Sequence, residues 1–213
     1  MKRIIIFLFI LLLLYGCISI KSDYPEINLY RLKQEPIPDN KPGKLEGTLQ
    51  VRDFSSAEQL YTNNIIAIWD GERIQHYFYH RWVSAPAELV KDFLIQRLSD
   101  ENIFEGGVVK PRSLIIPDYI LEGNLLDMIA HNTKDKEPDT NYVTVSLCIN
   151  LIKREPLTTT KNILLNKVYN ISVPRHDNEV KSIPPAFSTA MSQIADNIIT
   201  DIYNTVNKSK SNE

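Results

Sequence analysis

The sequence predicts an α+β fold, in which an antiparallel or mixed β-sheet carries two amphipathic helices on one face behind an N-terminal signal peptide. Three observations predict it. Stretches such as "NYVTVSLCINLIK" (141–153) alternate apolar and polar residues, the period of a half-buried strand. Two other stretches, 84–102 and 185–207, carry apolar residues at helical spacing. The order is strands, helix, more strands, helix, which suits long antiparallel hairpins covered on one side.

The N-terminus reads first. "IIIFLFILLLLYGC" (4–17) follows Lys2 and Arg3. Spanning a bilayer takes roughly 20 apolar residues, and the run from Ile4 to Leu14 is shorter. Two positive charges, a short apolar core and a small residue make a secretory signal. Leu14-Tyr15-Gly16-Cys17 resembles a bacterial lipobox, which implies cleavage before Cys17 and acylation of that cysteine. The expected organisation is a signal peptide (1–16), a lipidated tether (17–26), a single α+β domain (27–207) and a disordered tail (208–213).

Composition narrows the function. The 24 basic side chains less Lys2 and Arg3 leave 22, against 26 acidic ones. A nucleic-acid surface wants a basic excess, so no nucleic-acid partner is expected. The 43% hydrophobic content supports a full core. With Cys17 acylated, Cys148 has no cysteine to pair with, so no intramolecular disulfide is expected. Its place in an apolar strand predicts a buried, inert thiol.

Each element has its own signal. "INLYRLK" (27–33) is the first strand, and "QEPIPDNKPGK" (34–44) is a proline-rich connection. "LEGTLQVRDF" (45–54) alternates, with Leu45, Gly47, Leu49 and Val51 on one face. "IIAIW" (65–69) and "RIQHYFYHRW" (73–82) flank Asp70-Gly71, so they form a hairpin. In 84–102, Ser84 can cap a helix, Pro86 suits its first turn and Glu88 favours its positive end. Further strands are expected near 103–109, 118–130, 141–153 and 161–173, with "HNTKDKEPDT" (131–140) as a charged hairpin tip. The last helix sets Phe187, Ala190, Met191, Ile194, Ile198, Ile202 and Val206 on one face.

Chemistry-bearing motifs are scarce. His76 and His80 share a strand face but stand roughly 13 Å apart, too far for one metal ion. No G-x-S-x-G elbow occurs, and Gly106-Gly107 lacks the Lys-Ser/Thr of a phosphate loop. No cofactor, no metal and no catalytic residue are expected, and the chain reads as a non-enzyme. The unusual stretch is "YFYHRWVSAP" (77–86). On a regular strand, Tyr77, Tyr79 and Arg81 face one way and Phe78, His80 and Trp82 the other. One face enters the core, and the other is a candidate aromatic docking patch. Tyr77, Tyr79, Arg81 and Trp82 are the candidate partner-binding residues.

"NNIIAIWDGERIQHYFYHRWVSAPAELVKDFLIQRL" (63–98) resembles the signature region of the ABC-type transport auxiliary lipoproteins, the small lipoprotein component of paraquat-inducible and related MCE systems. The resemblance rests on Tyr77, Tyr79, Arg81, Trp82, Pro86, Leu89 and Val90. "INLYRL" (27–32), "DYILEGNLLDM" (118–128) and "AFSTAMSQIADNIITDI" (186–202) are similar to further elements of that family. The resemblance implies a periplasm-facing lipoprotein on the outer membrane, a placement that Ile18 after the cysteine fits. It implies an MCE-domain protein and an inner-membrane ABC transporter as partners, with a homo-oligomer also compatible. The function so implied is non-catalytic: an accessory component that docks partners while lipid or another hydrophobic molecule crosses the envelope. The alternative is an outer-membrane scaffold or assembly lipoprotein of a secretion or stress-response complex.

Overall fold

The computed structural model describes residues 25–36, 43–134, 140–154 and 162–211. The expected signal peptide, Cys17 and the tether through residue 24 lie outside the described residues, as do 135–139 of the expected hairpin tip and 212–213 of the expected tail.

The described strands are β1 (Asn28–Tyr30), β2 (Leu49–Val51), β3 (Ser55–Ser56), β4 (Asn64–Trp69), β5 (Arg73–Trp82), β6 (Val108–Val109), β7 (Tyr119–Asn132), β8 (Tyr142–Lys153) and β9 (Ile163–Pro174). Helix α1 (Pro86–Glu101) follows β5, and α2 (Ile183–Lys210) ends the fold. All nine strands join one mixed sheet. The long strands β7, β8 and β9 pair antiparallel in sequence order. The lower half of β7 takes β2 and β3 in parallel along its other edge, and its upper half takes β4.

Strand β8 shows why the sheet has two unlike faces. Val143, Val145, Leu147, Ile149 and Leu151 are fully buried, while the residues between them are half-exposed. The buried set lies under the helices. Helix α2 lays Phe187, Ala190, Met191, Ile194, Ala195, Ile198, Ile202 and Val206 into the same core. Cys148 falls between Leu147 and Ile149 and so sits half-buried on the opposite face. The expectation of a buried thiol is corrected by strand parity.

The helices meet through a buried cation. Arg97 of α1 is 1% exposed. Its Nη2 donates to Asp196 of α2 at 2.6 Å, its Nη1 to the Glu35 carbonyl at 2.9 Å, and its Nε lies 3.5 Å from Glu101. One side chain thereby ties both helices to the segment that follows β1.

Several boundaries differ from expectation. Helix α1 is capped at Ala85, whose backbone is extended, with no side-chain cap. Pro86 disfavours a helical residue before it, so the start moves past Ser84. The α1 end is a left-handed Asn102, whose N–H reaches the Leu98 and Ser99 carbonyls. The alternating stretch 45–54 keeps a strand only at 49–51. At Gly47 φ is +94° and the chain turns, with Leu45 left in a single bridge to Phe104. The expected strand 103–109 shrinks to two residues, which pair with β2. Helix α2 begins at Ile183 and runs through Lys210, past the Asn207 boundary and into the expected tail.

Candidate functional site

The docking candidate lies on the β4–β5 hairpin. Its tip is tight because Asp70 and Gly71 both take positive φ, 52° and 78°, and Glu72 N–H donates to the Trp69 carbonyl at 3.1 Å. Two consecutive left-handed residues match the right-handed twist of the flanking strands.

Lower on the hairpin the pairing is irregular. Ile65 lies opposite Tyr77, yet its neighbour Asn64 lies opposite Arg81. Three residues, Phe78, Tyr79 and His80, are therefore accommodated on β5 with no counterpart on β4. Arg81 stitches this bulge, its Nε donating to the Phe78 carbonyl at 2.7 Å. The bulge changes which side chains face inward. Tyr77 packs against the core, and its hydroxyl accepts Asn132 Nδ2 at 3.1 Å. Trp82, five residues on, is also inward and only 2% exposed. Its ring meets Phe187 of α2 edge-on, with centroids 5.7 Å apart.

The strict two-face reading of 77–82 is thus corrected. Of its candidate residues, Tyr79 is exposed, Arg81 is half-buried and holds the bulge, Tyr77 is half-buried, and Trp82 belongs to the core. Sequence reasoning missed Phe78, which at 63% exposure is the most open aromatic of the strand, and Ile74, exposed at the upper end. A bulge leaves no signature in residue alternation, so nothing in the sequence separated Phe78 from Trp82.

The hairpin also forms the rim of the sheet. Strand β1 pairs in parallel only with His80, Arg81 and Trp82. Among the described residues, the β5 segment 73–79 has no strand on its outer side. Such an edge presents unpaired N–H and C=O groups to a second chain. Around it stand the exposed apolar side chains of Ile27, Leu29, Ile74, Phe78 and Tyr79. Where β1 ends, Tyr30 stacks on His80 at 5.8 Å, with its hydroxyl 2.9 Å from the ring Nδ1. His80 is thereby engaged in the β1–β5 contact.

The remaining chemistry is structural. Arg175, 4% exposed, closes the top of the sheet by donating to Asn132 Oδ1, the His131 carbonyl and Ser182 Oγ. His131 stacks on Tyr142, and burial together with the Arg175 guanidinium holds its imidazole below the ordinary histidine value. Among the described residues no group of three or more His, Cys, Asp or Glu side chains is placed to hold a metal ion. No described helix is long and apolar enough to cross a membrane.

No family model matches the chain, and no curated protein does. Solved structures do. A Xanthomonas campestris protein of the DUF330 family is similar at a TM-score of 0.72 and 14% identity, covering 86% of this chain and 99% of its own. An uncharacterised protein matches at 0.61 and 14% identity, over 83% of this chain and 99% of its own. A hypothetical protein from Chlamydia trachomatis matches at 0.52 and 7% identity, over 76% and 98%. At these identities the likeness is one of fold.

Proposed function

We propose that this chain is a non-catalytic, lipid-anchored envelope protein that serves an ABC/MCE-type transport system by docking partners. The acyl chain on Cys17 holds the domain at the outer membrane, facing the periplasm. The domain offers its open sheet edge to an MCE-domain protein or to a segment of the transporter assembly. The observation that carries the docking role is the β5 edge at 73–79, which no strand among the described residues covers, flanked by exposed Ile74, Phe78 and Tyr79. Addition of an extended strand to such an edge uses main-chain bonds for affinity and alternate side chains for specificity. The similarity of the fold to a DUF330 protein over nearly all of that protein's length supports the reading, as does the resemblance across 63–98.

The test is capture of the full-length tagged protein in mild detergent, comparing wild type with the pair Phe78→Ser and Tyr79→Ser, and identifying bound proteins and lipids by mass spectrometry. Recovery of an MCE-domain protein or its ABC transporter by wild type, lost in the double variant at unchanged folding, is the expected result. Recovery of a secretin or other pore, with no transporter component, would replace the transport role with the scaffold role.

A further inference from the structure

Residues 110–117, "KPRSLIIP", join β6 to β7. Leu114, Ile115 and Ile116 are 99%, 55% and 73% exposed. Three consecutive open apolar side chains at a loop tip are a patterning fault unless something uses them. The loop is held in this form by its own base. Ser113 N–H donates to the Lys110 carbonyl at 3.1 Å, and Ile115 N–H to Ser113 Oγ at 3.2 Å. Gln50, 9% exposed, donates its Nε2 to the carbonyls of Lys110 and Pro111 at 3.4 and 3.3 Å. On the other arm Pro117 is buried, and Asp118 N–H bonds the Thr48 carbonyl at 3.0 Å. The arms are tied to the sheet and the tip is left out in water.

Charge frames this tip. Lys110 and Arg112 are exposed within the loop. Beside it opens a groove of about 730 Å³, with Ile116, Ile120 and Ile152 on its apolar side and Arg52, Lys153 and Arg154 on its rim. Of the described acids at this end, Asp118 Oδ2 accepts Thr48 N–H at 2.7 Å, and Glu122 pairs with Arg52 at 2.7 Å. Glu46 at the same end pairs with Lys210. Arg52 is matched by Glu122, and Lys110, Arg112, Lys153 and Arg154 stand around the apolar wedge. An apolar tip with a basic collar matches the layering of a bilayer, acyl chains inside and phosphates at the interface.

We propose that loop 110–117 and the groove beside it form a membrane contact for an anionic phospholipid surface. Leu114, Ile115 and Ile116 enter the acyl region, while Arg112, Lys153 and Arg154 meet headgroup phosphates. The contact requires no transport role, only a domain held close to a bilayer.

Photo-crosslinking tests it. The full-length chain, with p-benzoylphenylalanine in place of Leu114, is reconstituted in phosphatidylcholine vesicles with or without phosphatidylglycerol and irradiated. A control carries the probe in place of Glu72, at the β4–β5 tip. The expected result is a phosphatidylglycerol adduct at 114 several-fold above that at 72. Lys153→Gln with Arg154→Gln should lower the docking equilibrium roughly thirtyfold, from about 1 kcal/mol for each basic residue near an anionic surface. Four results would overturn the proposal. These are no lipid adduct at 114, equal yields at 114 and 72, equal yields with and without phosphatidylglycerol, or a protein–protein adduct at 114 in lipid-free detergent, which would make a second copy the occupant. A fifth is an equal adduct with a soluble short-chain phosphatidylglycerol, which would mean capture of single lipids rather than a surface. If the chain fails to float with vesicles, the anchor reading falls, while the adduct at 114 with added vesicles is still scored.

Discussion

Trp82→Ala separates the core from the docking edge. Trp82 is 2% exposed, its ring lies edge-on to Phe187 with centroids 5.7 Å apart, and its backbone N–H bonds the Asn63 carbonyl at 2.7 Å. Truncation leaves the backbone bond and removes the indole, opening a cavity between β5 and α2. Deleting a buried Trp or Phe side chain costs about 3–5 kcal/mol. At about 2–4 °C per kcal/mol for a domain of this size, the melting temperature should fall by roughly 6–20 °C. Partner capture, measured well below the lowered midpoint, should stay near wild type because the indole never reaches the surface. Phe78→Ser should do the reverse: surface substitutions sit within about ±0.5 kcal/mol, so melting stays level while capture weakens. The comparison needs thermal melts followed by circular dichroism and a pull-down at fixed temperature. A Trp82→Ala protein that melts like wild type but loses its partner would refute the bulge argument and return Trp82 to the surface.

Further expectations follow from other sites. Arg97→Ala leaves Glu101, 7% exposed, without its cation; breaking a buried pair from one side costs about 3–5 kcal/mol, and a denaturant midpoint that does not move would contradict the clasp. Cys17→Ser should shift the protein out of the membrane fraction, and unchanged fractionation would remove the acyl anchor. Tyr169 donates to Asp201 at 2.7 Å, and burial, then the Asp201 hydrogen bond and charge, push its phenol well above the ordinary 10.0. Its contribution is full below about pH 10 and is lost as pH rises beyond, so Tyr169→Phe should flatten the alkaline limb of a stability–pH curve; an unchanged limb would contradict this. For Asp201, burial alone would raise the carboxyl, but hydrogen bonds from Lys167 and Tyr169 outweigh it and hold the group below 3.8. Its contribution is present above about pH 4 and is lost as pH falls through the folded value; Asp201→Asn should therefore lose stability at pH 7 and approach wild type in acid. Burial raises the Asp127 carboxyl despite its bond from the Met128 backbone, so Asp127→Asn should raise the melting temperature at pH 7, and a lower one would count against the burial argument.

The long elements were legible because their signals are local. Strand β8 alternates along its length, α2 repeats its apolar face from Ile183 to Val206, and Asp70-Gly71 marks its own turn. The short elements were not. Strands β2, β3 and β6 have two or three residues each; β2 and β3 exist only because β7 offers them an edge, and β6 because β2 offers one in turn. The candidate site was half legible. The aromatic density of 77–82 pointed to the right strand, but the faces came out mixed because the bulge opposite Asn64 and Ile65 shifts parity. Leu114, Ile115 and Ile116 went unremarked, since an apolar triplet in a loop is indistinguishable by pattern from a buried one.

By itself, the sequence determined which segments would be helix, which would be long strand, where the hairpin would turn, and which face of each helix would be apolar. These depend on neighbours within a few residues, where spacing and backbone preference act directly. Tertiary structure alone decided the five parallel strand pairings among the described residues, the burial of Trp82 against the exposure of Phe78, and the lifting of residues 114–116 into solvent. Each of those depends on hydrogen bonds and packing between residues distant in the chain, which no local period encodes.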